Sequence, residues 1–121
     1  MDTRTKIVGA ERIPAGCTVV TGTFDIMVAE DARELAGIRE QQSGRPVCVV
    51  VLPLSGALLA QRARAELVAA LRVVDYVVIA DNPAPGPLLD ALQPACVVRL
   101  EGVHERRKRQ LMEHVHSRQT R

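Results

Sequence analysis

Val47-Cys48-Val49-Val50-Val51-Leu52, printed VCVVVL, is an apolar run with no polar residue at alternate positions. A strand with one wet face alternates. A run without alternation fits a strand buried on both faces, as in a parallel sheet covered by helices. Working back from it, "QSGRP" (42–46) is a breaker, because Gly44 and Pro46 end helices. Before that, Ala29, Ala32, Leu35, Ala36 and Ile38 recur at helical spacing, which predicts a helix from Val28 to about Gln42. Glu30 and Asp31 near its start suit the positive end of the helix dipole. Earlier still, "CTVVTG" (17–22) is a short apolar run closed by glycine, a first strand.

Downstream the same grammar continues. A helix is expected from about Ser55 to Leu71, a third strand at "VDYVVIA" (74–80), and a loop at "NPAPGP" (82–87). "LLDAL" (88–92) makes a short helix stopped by Pro94, and "ACVVRL" (95–100) a fourth strand. The tail, about 104–118, reads as a basic helix with a thin apolar stripe of Leu111, Met112 and Val115. Residues 1–15 form a polar lead-in, and 16–121 form one α/β domain. The alternation of strand and helix implies right-handed crossovers. It predicts a Rossmann-like parallel sheet of about 4–5 strands with helices on both faces.

Composition agrees with that core. The chain has 121 residues, 47% of them apolar and only 2% aromatic, with Phe24 and Tyr76 the sole aromatics. Its interior must therefore be aliphatic. A small aliphatic core gives modest stability, so a homodimer is expected. The net charge of +2 is too small to argue for nucleic acid. Cys17, Cys48 and Cys96 lack metal-ligand spacing and lie in or beside Val-rich runs, where a reduced thiol acts as a small apolar residue. A reducing cytoplasm is the expected compartment. No leader and no run of membrane-spanning length is read in the sequence, so no membrane partner is expected.

In open parallel sheets, ligands bind beyond the carboxyl ends of the strands at the switch in strand order. "TGTFD" (21–25) ends the first strand, so Thr21, Gly22, Thr23, Phe24 and Asp25 are the candidates for binding a nucleotide or phosphate.

"VVTGTFDIM" (19–27) followed by a helix, with "RAELVAALRVVDYVVIADN" (64–82), resembles the cytidylyltransferase-like nucleotidyltransferase family. The domains most similar in style are heptose-phosphate adenylyltransferases and glycerol-3-phosphate cytidylyltransferase. The resemblance covers roughly residues 17–102. It implies Mg²⁺ with CTP or ATP as cofactor and substrate, and a sugar- or polyol-phosphate acceptor. In that family the first motif continues as His-x-Gly-His, whose histidines contact the triphosphate. Matched by position, the histidines become Val28 and Asp31 and the glycine becomes Glu30. Nucleotidyl transfer needs positioned donors and positive charge. Val28 donates nothing, and a carboxylate about 4 Å from a phosphate costs about 4 kcal/mol at an effective dielectric of about 20.

Other family positions are altered as well. Arg64 stands where the family has an arginine, so one basic contact is retained. "VVRLEGVHERRKRQL" (97–111) fits in two registers. In one, Arg99 replaces the lysine of a Val-Lys-Gly-Gly-Asp motif. In the other, Val103, His104 and Glu105 replace Ile-Ser-Thr of Arg-Thr-Glu-Gly-Ile-Ser-Thr-Thr. Either way the phosphate-binding hydroxyls are missing.

The expectation is a degenerate, catalytically inactive member acting as a binding, regulatory or oligomeric scaffold, with a residual nucleotide ligand still conceivable. An active transferase with an altered site is the first alternative. The second is a module in which Arg106, Arg107, Lys108 and Arg109 bind nucleic acid or an acidic protein, although a basic run is more often a solvated face. Asp25 is expected to tie down the turn or cap the helix. Glu30 and Asp31 are expected to be dipole partners, with no metal assigned. His104, His114 and His116 are expected as solvated helix residues.

Overall fold

The computed structural model describes residues 2–119, with side chains described through residue 115. Four strands form a parallel sheet: β1 (Thr18–Gly22), β2 (Val47–Val51), β3 (Tyr76–Ile79) and β4 (Cys96–Arg99), in the order β3-β2-β1-β4. Helix α1 (Ala29–Gln41) links β1 to β2, α2 (Gln61–Ala69) links β2 to β3, and α3 (Gly86–Leu92) carries the chain across to β4. Helix α4 (Glu101–Gln119) follows β4 directly. The strand order reverses at β1, so the crevice between β1 and β4 is the switch point.

Alternate strand residues point to opposite faces, and both faces are covered. Val20, Val49, Val51 and Val77 pack with Leu35 and Ile38 of α1 and with Ala65, Val68 and Ala69 of α2. Val19, Cys48, Val50 and Val78 pack with Ile13 and with Leu92 of α3. This is why VCVVVL carries no alternation: every residue of β2 is buried. Tyr76 lies against the second cluster as a packing residue.

Two boundaries depart from expectation. The helix expected from Ser55 begins at Gln61, because residues 53–60 are held as a loop. The Leu58 and Leu59 amides donate to the Asp25 carboxylate at 2.9 and 3.0 Å, and the Gln61 side chain donates to the carbonyls of Val51 and Ala80. Those long-range bonds replace the local ones a helix would make. The terminal helix starts at Glu101 rather than near His104, immediately after Leu100. The polar lead-in is also structured. It forms two short 3-10 turns, Thr3–Lys6 and Ala10–Arg12. Between them the Val8 amide donates to the Val77 carbonyl at the outer edge of β3. No helix among the described residues is long and apolar enough to cross a membrane.

Candidate functional site

The segment 23–28 joins β1 to α1 at the switch point. Two of its residues, Phe24 (φ 50°) and Ile26 (φ 68°), adopt left-handed backbone that side chains disfavour, most of all a β-branched one. Such strain persists only where the surroundings enforce it. Here the enforcing contacts come from α4 and from the loop before α2.

His104, on the first turns of α4, lies over this segment. It is 5% exposed. The backbone N–H groups of Thr23 and Phe24 both donate to its Nδ1, at 3.2 and 3.3 Å. Two successive amides aimed at one point form a concavity suited to an anion. In this chain the imidazole lone pair fills it. The ring also packs on Phe24, with centroids 4.4 Å apart. Gly22 permits this approach, since a Cβ there would sit 2.5 Å from His104 Cε1. The expectation of a solvated histidine at 104 is thus overturned. His114 is exposed as expected, and the side chain of His116 lies outside the described residues.

One turn later, α4 supplies cations to the acids. Lys108 Nζ donates to Asp25 Oδ2 at 2.5 Å, and Asp25 is 3% exposed. Arg107 pairs with Asp31, which is 1% exposed, and reaches Glu30 at 3.6 Å and Glu34 at 3.9 Å. Asp31 also accepts the Val28 amide at 2.9 Å through Oδ2, capping α1. Burial pushes the Asp25 carboxyl up, but the Lys108 bond and the two loop amides outweigh it and hold it below its usual value. Burial acts likewise on Asp31, and His104, the Val28 amide and Arg107 bring it below its usual value.

Thr21 donates its hydroxyl to Glu101 at 2.6 Å, and Arg99, mostly exposed, pairs with the same carboxylate at 2.9 Å. Despite burial, Glu101 is held low by Thr21 and Arg99. Arg64 is 1% exposed and points inward, donating to the carbonyls of Thr23, Leu52 and Leu59. Its guanidinium knits the loop ends together and does not face the crevice. Of the basic run, Arg107 and Lys108 turn inward, while Arg106 and Arg109 are exposed. Arg109 contacts Glu105 at 3.4 Å.

The space left among Asp25, Val28, Asp31, His104, Arg107 and Lys108 is about 10 Å³. That is no more than a single water needs. Larger hollows are lined by other sets of residues: about 390 Å³ by Thr23, Leu54, Glu101, Glu105, Lys108 and Met112, and about 670 Å³ at the end of β3.

Asp31, Glu34 and His104 each bring one potential ligand atom within 4.8 Å of the others. The chemistry does not fit a metal. With Nδ1 accepting two N–H groups, a neutral ring would hold its proton on Nε2, which lies 3.2 Å from Asp31 Oδ1. A metal at Nε2 would need that proton removed, and the Arg107 guanidinium already stands beside both carboxylates.

Sequence reading located the β1–α1 segment and missed what covers it. The signal was present as spacing. His104, Arg107 and Lys108 share one helical face, and the acids of "FDIMVAED" need cations if they are buried. Among known proteins, no family model and no curated sequence matches this chain.

Proposed function

We propose that the chain is a nucleotidyltransferase-like domain without catalytic activity, serving as a binding, regulatory or scaffold protein. The observation that carries this reading is the occupied cradle at the switch point. His104 sits on the Thr23 and Phe24 amides, and the remaining space is about 10 Å³. A triphosphate needs donors and net positive charge at this place. The amides are engaged by the imidazole, and Lys108 and Arg107 are engaged by Asp25 and Asp31. The retained arginine, Arg64, is engaged by carbonyls. Two of the four cations of the basic run lie in these internal pairs, which weakens the nucleic-acid alternative as well.

Pyrophosphate release tests the reading. Protein incubated at about pH 7.5 with Mg²⁺, CTP or ATP, and glycerol 3-phosphate or sugar phosphates is expected to give the rate of the protein-free control. Turnover that disappears on Asp25→Ala overturns it.

A further inference from the structure

We propose that the hollow at the carboxyl end of β3 binds an uncharged aromatic nitrogen heterocycle that carries an amino group beside a ring nitrogen. It shares no lining residue with the cradle, so nothing in it depends on how the cradle is read.

The argument starts from the outer edge of the sheet. In a parallel sheet, successive residues of a strand turn their peptide N–H and C=O to opposite sides. On the inner side of β3, the Ala80 N–H donates to the Val51 carbonyl at 3.0 Å, and the Ala80 carbonyl accepts from the Gln61 side chain at 2.7 Å. On the outer side, the Val8 N–H donates to the Val77 carbonyl at 2.9 Å, where the lead-in bridges β3. Ile79 has the parity of Val77, so its N–H and C=O face outward too. The lead-in does not follow them, because at Gly9 it enters the 3-10 turn Ala10–Arg12. No hydrogen bond among the described residues takes either Ile79 group. A donor and an acceptor thus stand side by side on the wall of a hollow of about 670 Å³.

That volume falls within the range of small-molecule sites, about 300–1,000 Å³, which pair apolar walls with a few polar groups. Val8, Val78, Pro85, Pro87 and Leu88 supply the apolar walls. The proline rings fix φ, and the Asn82 side chain accepts the Ala84 amide at 2.8 Å, so this wall is built before a ligand arrives. A flat ring with an acceptor next to a donor answers Ile79 as another strand would. The charged residues choose which ring. Asp81 lines the hollow and makes no ion pair among the described residues, whereas the one lining cation, Arg62, contacts Glu66 at 3.6 Å. A ring nitrogen accepts the Ile79 N–H. The amino group gives one N–H to the Ile79 carbonyl and keeps a second for the Asp81 carboxylate. A lactam turns a carbonyl oxygen toward that carboxylate and is disfavoured, as is a phosphate.

Adenine titrated into the isotope-labelled full chain at neutral pH tests this. Saturable shifts of the amides of residues 79–82 are expected by about 5 mM, with those of residues 21–25 unmoved. Purine, which lacks the amino group, and hypoxanthine, which has oxygen in its place, are expected to bind about tenfold more weakly. Adenosine and AMP separate a nucleoside from a nucleotide, and AMP is expected to be the weaker. Ile79→Pro deletes the donor alone, since the ladder to β2 runs through Val78 and Ala80 and an edge strand tolerates proline. It is expected to weaken adenine about tenfold. Should that variant not fold, Asp81→Asn, at an exposed position, takes its place and is expected to erase the preference for adenine over hypoxanthine. The proposal is overturned if adenine leaves residues 79–82 unmoved, if purine binds as tightly, if AMP binds more tightly than adenosine, or if the variant binds as the wild type does. None of those outcomes touches the occluded-cradle reading, which fails separately on shifts at residues 21–25 or on pyrophosphate release.

Discussion

Gly22 is the last residue of β1, and its missing side chain decides what can stand above it. The nearest atoms to a Cβ at this position would be His104 Cε1 at 2.5 Å, Phe24 Cε2 at 2.7 Å and His104 Nδ1 at 2.8 Å. Both rings are buried, so neither can swing aside freely. Gly22→Ala is expected to cost about 1–3 kcal/mol in denaturant unfolding, as overpacking does, and to free the Thr23 and Phe24 amides. An unchanged midpoint would show that the rings have room. From sequence, this glycine reads as a turn residue or a phosphate neighbour. Its partner is 80 or so positions away, and nothing local in "TGTFD" names it. Asp25 is expected from sequence to tie down its own turn or cap the helix, and in the fold its carboxylate takes amides of another loop. Which amides it ties, those of Leu58 and Leu59, depends on a loop that sequence periodicity reads as helix.

At the scale of elements, α4 is the decisive one. Its first half carries Glu101, His104, Arg107 and Lys108 against the strand ends, while residues 109–115 are exposed, including Leu111, Met112 and Val115. Its attachment is electrostatic to a degree that makes it sensitive to acid. Asp25, Asp31 and Glu101 are all held below their usual carboxyl values in the folded chain. Their contribution to stability is therefore fully present above the unfolded carboxyl range, about pH 4, and is lost as pH falls through the lower folded values. Denaturant midpoints are expected to decline below about pH 4, with a slope of about 1.4 kcal/mol per pH unit for each proton taken up. Asp25→Asn removes one of those protons and should flatten the decline. An equal slope in the variant would mean that Asp25 does not couple to folding. Element types were readable because the core runs are unambiguous: Val-rich strands without alternation, and helices spaced by Ala and Leu. The start of α4 was not, since "LEGVHERR" has little apolar periodicity and is helical through contacts to distant acids.

The whole molecule is a four-stranded parallel sheet with helices on both faces, and its architecture was legible before any coordinate. VCVVVL required two covered faces, and the alternation of elements required crossovers. Sequence put "TGTFD" at the carboxyl end of the first strand; the strand order, which only the fold supplies, puts the switch-point crevice beside it at β1. What sequence could not supply was the state of that crevice. On the sequence, Val28 offers phosphate no donor and Glu30 and Asp31 repel it. In the fold the acids serve another end, anchoring a helix whose imidazole takes the amides for itself. Our account therefore stands on the cradle being filled from within. Titrating CTP or ATP with Mg²⁺ into isotope-labelled protein at neutral pH, and following the amide resonances of residues 21–25, tests this directly. We expect these resonances to stay where they are up to about millimolar nucleotide, a range in which even weak ligands would register. Saturable shifts centred on Thr23 and Phe24 would contradict it.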